Sequence, residues 1–420
     1  MRNRVDRSSG HALRLAEAPL VLGRWVNRSR LTVYPLVFFA GLTISWLVLV
    51  AGGNGILDAN GEPIGADFLT FYSASTPLRD QGARAVYDVD VLRTREAQIA
   101  KSDELQTEWR YPPAVLFLIK PLAWLPYGAA LAVWTVAGGL AMLAAIRRIS
   151  RDYLALVLIA ASPAFYRSFS QGQNGFFTTA LLGFGLTLLR TRPVAAGLIL
   201  GLLTYKPQFA VLVLAALAIN RDRSAFYGYL ASAAAVALVA LVVFGVGSYQ
   251  QFFASVGTTA DTLFQMHQDL RKVHSFSSTM LLLGVSATAT QCLQLLMSLA
   301  IACTSLWVWK QSRLDRVRFA ALVLGTIGVS PYFFDYDLVI LALPVLWLAL
   351  DCMERGWQRG DLELLVLAWW APFLATAVVL ATSLMLTPVI VMLLLLMGIR
   401  RMRFEPTRER PTRWSVLLAA

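Results

Sequence analysis

Apolar residues in this chain come in long blocks instead of at short period. Runs of about 15–22 residues, with a few shorter ones, recur through most of its length, the spacing expected of helices that cross a bilayer. They fall at 33–51, 127–146, 153–169, 176–189, 193–205, 207–219, 225–246, 289–309, 319–330, 338–351, 362–380 and 383–399. Arg and Lys close alternate ends: Arg147-Arg148, Arg190 and Arg192, Arg221 and Arg223, Lys310 to Arg318, Arg355 and Arg359, Arg400-Arg401-Arg403. Basic residues in short loops are held on the cytoplasmic side. Counting from a basic N-terminus (Arg2, Arg4, Arg7, Arg14), every such cluster lands on one face only if there are about twelve spans.

The expected fold is therefore an all-α integral membrane protein, a polytopic bundle of about twelve transmembrane helices with two long extracytoplasmic loops. Residues 1–32 read as a cytoplasmic basic segment, 33–403 as a single membrane domain and 404–420 as a cytoplasmic tail. The outer loops cover 52–126 and 247–288. Within the first, 112–126 is apolar but broken by Lys120-Pro121, which suits an interfacial or re-entrant piece. Lys206-Pro207 interrupts the stretch from 193 to 219, so two short helices meeting at an outer break are preferred to one long helix.

Composition agrees. Of 420 residues, 57% are hydrophobic and only 15% charged, where a soluble domain would carry about a quarter charged. The net charge of +12 is accounted for by arginines at helix ends, so no nucleic-acid partner is expected. About thirty mostly polar residues precede the first apolar run, too long for the n-region of a cleavable signal peptide. Cys292, Cys303 and Cys352 all sit in apolar runs without metal-ligand spacing and read as small core side chains.

The same parity puts the remaining polar motifs on the opposite, extracytoplasmic face. Ionisable groups near membrane depth are costly and usually pair or do chemistry. Asp67, after Gly65-Ala66, fits a general base for an attacking hydroxyl, or else a helix N-cap or a solvated loop carboxylate. Lys206 and Arg110 suit a phosphate, against snorkelling side chains at helix ends. Gln173 and Asn174 suit hydroxyl recognition or an ordinary turn. Asp335 and Asp337, two apart after Ser330-Pro331, suit a paired carboxylate site or helix capping. His274 can donate to a phosphate or lie in a surface loop. His267 and His274 lack a third ligand, so no zinc site is expected.

In order along the chain, Gly65-Ala66-Asp67-Phe68 with Tyr72, Arg110-Tyr111-Pro112-Pro113, Gly172-Gln173-Asn174, Lys206-Pro207-Gln208, and Ser330-Pro331 with Tyr336-Asp337 resemble glycosyltransferase family 87. These are polyprenyl-phosphate-mannose-dependent α-mannosyltransferase-like membrane enzymes of the GT-C class, and the resemblance runs over about residues 60–350. It implies inverting transfer of a sugar, by default mannose, from a polyprenyl-phosphate donor to a glycolipid or glycan acceptor, at the periplasmic side of a bacterial inner membrane. It implies that Asp67 is the base, that Lys206, Arg110 and His274 face the donor phosphate, and that Tyr72, Gln173, Asn174, Gln208, Asp335, Tyr336 and Asp337 contact sugar or acceptor. It implies no metal or other cofactor. Where some members carry histidines after the Ser-Pro pair, this chain has Tyr336 and Asp337.

A lipid-linked-sugar flippase or secondary transporter is the competing reading, since broken helices with polar groups also suit transport. Against it stand the placement of the motifs on one face and the lack of a repeat between the two halves. A non-catalytic membrane scaffold is the third reading.

Overall fold

The computed structural model describes residues 26–101, 109–220, 223–265 and 270–404, with only the backbone considered for 257–265. The basic stretch before residue 26, His267, Arg221 and the tail after residue 404 lie outside the described residues. Among those described, every regular element is helical, and β-type pairing is limited to isolated bridges.

Helix α1 (Arg28–Ala51) opens the fold, its first turn capped by the Asn27 side chain, which accepts from Arg30 N. A short turn leads to α2 (Ala66–Asp80) and α3 (Val89–Ala100). The apolar piece Pro113–Trp124 follows as a chain of short helical turns. Then come α4 (Tyr127–Ile149), α5 (Tyr153–Ala160), α6 (Pro163–Gln171), α7 (Gly175–Leu188), α8 (Pro193–Gly201) and α9 (Pro207–Ala218). The second half holds α10 (Ser224–Phe244), α11 (Val246–Gln265), α12 (Phe276–Leu282), α13 (Ala287–Gln311) and α14 (Asp315–Val329). A 3-10 segment, Asp335–Leu341, feeds α15 (Ala342–Arg355), and α16 (Asp361–Thr382) and α17 (Leu386–Arg403) complete the chain.

Proline places the breaks. Pro163 starts α6 with Ser162 as its N-cap, and α5 and α6 are bent by 54° there. Pro207 starts α9 after a 3-10 turn, so 193–219 is indeed a pair of short helices meeting at Lys206.

Six helices are long and apolar enough to cross a membrane, or seven if the bent α5–α6 pair is one span. The other expected spans are α7, α8, α9, α14 and α17, of 14, 9, 12, 15 and 18 residues. Length and apolarity thus support a polytopic membrane protein without establishing twelve crossings. The second long connection contains a helix, Val246–Gln265. Cys292 and Cys303 are exposed on α13, and Cys352 alone is a core side chain.

The bundle has two chemically distinct ends. At one, the basic turns meet acidic partners. Arg28 pairs with Asp152 at 2.9 Å, Arg190 with Asp315, and Arg316 with Glu354. The buried Arg401 holds Asp351 at 2.6 Å and Asp361 at 3.2 Å. At the other end the turns before α2, α7, α9, α12, the 3-10 segment and α17 converge, and these carry the polar motifs.

Candidate active site

Asp67 lies in the first turn of α2. The turn before it depends on Gly65, whose φ of 71° is in the left-handed region that favours glycine. Tyr127, the first residue of α4, donates its hydroxyl to the carbonyls of Ile64 (2.7 Å) and Gly65 (3.2 Å) and so fixes this turn. Phe68 and Phe71 anchor the helix in an aromatic cluster with Tyr127, Trp134 and Trp109. Gly172, at φ 66°, packs so closely that a Cβ there would lie 2.6 Å from that of Phe68.

The half-buried Asp67 carboxylate makes no hydrogen bond or ion pair among the described residues. Burial pushes its pKa up to about 7. The negative charges of Asp335 and Asp337 act in the same direction, and Lys272 and Arg167 oppose them. The positive end of α2 would favour an anion here, but burial and like charge outweigh it.

Two ion pairs face this carboxylate. Lys206 Nζ donates to Asp337 Oδ1 at 2.6 Å, with side chains only 3% and 2% exposed, and it lies over the rings of Tyr336 (5.4 Å) and Phe209 (5.6 Å). Lys206 is therefore charge-paired with Asp337 and enclosed by rings, so its charge is directed at that carboxylate. The second pair joins Arg167 to Asp335, 37% and 13% exposed. Asp335 also accepts from Tyr336 N at 2.8 Å.

The turn between α6 and α7 brings in Gln173 and Asn174. Gln173 Oε1 accepts from Asn174 N at 3.0 Å, and the Asn174 carbonyl accepts from the Tyr205 hydroxyl at 3.3 Å. Asn174 is 1% exposed, yet neither atom of its side-chain amide has a hydrogen-bond partner among the described residues. Tyr111 lies within reach of that amide without ordinary hydrogen-bond geometry, and the charges of Asp67 and Asp337 bear on its phenol. Gly175 permits the approach of the 3-10 segment: a Cβ there would lie 2.8 Å from the Tyr336 carbonyl oxygen.

Other expected residues stand elsewhere or carry no charge. Tyr72 donates to the Leu125 carbonyl at 2.8 Å and packs on Tyr127, so it ties α2 to the Pro113–Trp124 piece. His274 is buried, with Nδ1 2.9 Å from Thr387 Oγ1. Its pKa falls to about 4, chiefly through burial, so it is neutral at pH 7 and brings no positive charge to a phosphate. Arg110 is half-buried and is not among the charges that act on Asp67. Gln208 is half-buried beside Lys206 at the start of α9. The residues that sequence reasoning passed over are Arg167, Lys272, Tyr205 and Gly175. Arg167 had a signal, an arginine inside the apolar run 153–169.

Carboxylates, cations and a buried amide thus gather at one end of a helical bundle whose long apolar helices define a membrane protein. The sequence profile described as glycosyltransferase family 87 matches residues 109–331, which is more than half of the chain, and the chain belongs to that family. It is thus a glycosyltransferase. The match includes Tyr111, Arg167, Asn174, Lys206 and His274, whereas Asp67, Asp335 and Asp337 lie outside it. No curated protein and no solved structure matches the chain.

Proposed function

We propose that this protein transfers a sugar, mannose in the first instance, from a polyprenyl-phosphate donor to a hydroxyl of a glycolipid or glycan acceptor, with inversion. The observation that supports it most is Asp67: a carboxylate free of hydrogen bonds among the described residues, with a pKa that burial pushes up to about 7. A general base works best with a pKa near the operating pH. In the proposed step the acceptor oxygen attacks the anomeric carbon as Asp67 takes its proton. The bond from that carbon to the phosphate oxygen breaks, and polyprenyl phosphate leaves with the electron pair. Asn174, with both amide atoms unsatisfied, and Gln173 supply hydrogen bonds to sugar hydroxyls. The Lys206–Asp337 pair holds α9 to the 3-10 segment and so positions the floor of the site. The site faces the extracytoplasmic side of a bacterial inner membrane, because the opposite end carries the basic turns.

The test is transfer by the purified protein in nanodiscs, with short-chain polyprenyl-phosphate mannose and a panel of glycolipid and sugar acceptors. A glycosylated product, or release of free mannose, supports the reading. Donor left intact with every polyprenyl-phosphate sugar would overturn it in favour of a flippase or transporter.

A further inference from the structure

An apolar groove, open along one side, runs down the bundle between α5, α6, α15 and α16. Its far end is lined by Ala155 and Ala349, and Trp369 crosses it to donate to the Leu158 carbonyl at 2.8 Å. Its near end is lined by Ala164 and Leu338. Ala164 is one turn before Arg167 on α6, and Leu338 is one 3-10 turn after Asp335. The Arg167–Asp335 pair thus lies one turn beyond these lining residues, and the bend between α5 and α6 falls at Ser162, which also lines the groove.

The guanidinium is not used up by that pair. Arg167 gives Nη2 to Asp335, while its buried Nε–H has no acceptor among the described residues. A planar cation with spare donors is suited to phosphate oxygens. A positive head beside an apolar groove suits an amphiphile with an anionic end and a hydrocarbon chain. We propose that the polyprenyl phosphate of the donor binds here, its phosphate on Arg167 and its first isoprene units between α5–α6 and α15–α16. This rests on the reading of the protein as a polyprenyl-phosphate-dependent transferase, and it gives the phosphate to Arg167 in place of Lys206.

The experiment uses farnesyl phosphate carrying a diazirine in its chain, photolysed with the full-length protein in nanodiscs, the adducts being mapped by peptide mass spectrometry. Label is expected within 155–164 and 338–349. Arg167→Gln should cut it about tenfold, and Ala342→Phe, which narrows the groove and leaves the ion pair intact, should cut it likewise. Unlabelled farnesyl phosphate should displace the probe, and farnesol or phosphatidic acid should not. Adducts confined to other helices would overturn the proposal, and so would groove labelling indifferent to both substitutions or equal displacement by phosphatidic acid. Should a variant unfold, the wild-type adduct map and competition series still decide. Transfer activity separates the two claims. Adducts elsewhere with intact transfer would sink this site alone, whereas groove adducts without transfer from any donor would uphold the site and sink the functional reading.

Discussion

Lys206 and Asp337, 131 residues apart in sequence, form a 2.6 Å ion pair with both side chains buried. Breaking a buried pair by removing one partner strands the other charge and costs about 3–5 kcal/mol, whereas replacing both with apolar groups is often neutral. Lys206→Ala should therefore lower thermal stability strongly, and Lys206→Met with Asp337→Leu should recover most of the loss. A Lys206→Ala protein of wild-type stability whose only defect is a raised donor KM would return Lys206 to phosphate binding.

The pH dependence follows from Asp67. A base must be deprotonated, so kcat/KM should rise about tenfold per unit below pH 7 and level off above it. Asp335 raises the Asp67 pKa, so Asp335→Asn should move the acid limb to lower pH. An unmoved limb would break the link between the two carboxylates.

The same shift has a stability consequence. The folded-state pKa of Asp67 lies above its ordinary value of 3.8, so the folded protein binds this proton more tightly than the unfolded chain. Its contribution is favourable at low pH and is lost as pH rises through about 7. Asp67→Asn should thus be at least as stable as wild type at pH 8, by thermal unfolding in detergent.

Tyr127 fixes the turn that carries Asp67. Tyr127→Phe removes the hydroxyl bound to the Ile64 and Gly65 carbonyls, a loss of about 1 kcal/mol. Turnover should fall while donor binding holds. Unchanged kcat would show that the turn keeps its geometry without this bond.

His274 is neutral well above pH 4, so His274→Asn should leave the pH profile between 5 and 8 unaltered. A lost inflection in that range would contradict the buried, Thr387-bonded imidazole.

The features legible in the sequence are those set by local chemistry. Pro207 marks a real break, with two short helices meeting at Lys206, whereas the unbroken apolar run 153–169 hides the 54° bend that Pro163 brings. Pairings across the bundle were hidden, because no local pattern says that Lys206 meets Asp337 or that Tyr72 turns to Leu125. The helix Val246–Gln265 was read as loop because its polar residues break the apolar run, although an amphipathic helix needs only one apolar stripe. The span count rests on apolar runs and the parity of basic clusters, and neither tells a full-length crossing helix from a short apolar one such as Pro207–Ala218.

The account turns on Asp67 as the base. The most direct measurement is single-turnover transfer by Asp67→Asn against wild type, with donor binding measured on the same samples. The amide keeps the shape and loses the basicity, so the account predicts unchanged donor affinity and a rate lower by about 100-fold or more. Transfer at the wild-type rate by Asp67→Asn would contradict it and leave Asp335 and Asp337 as the remaining carboxylates of the site.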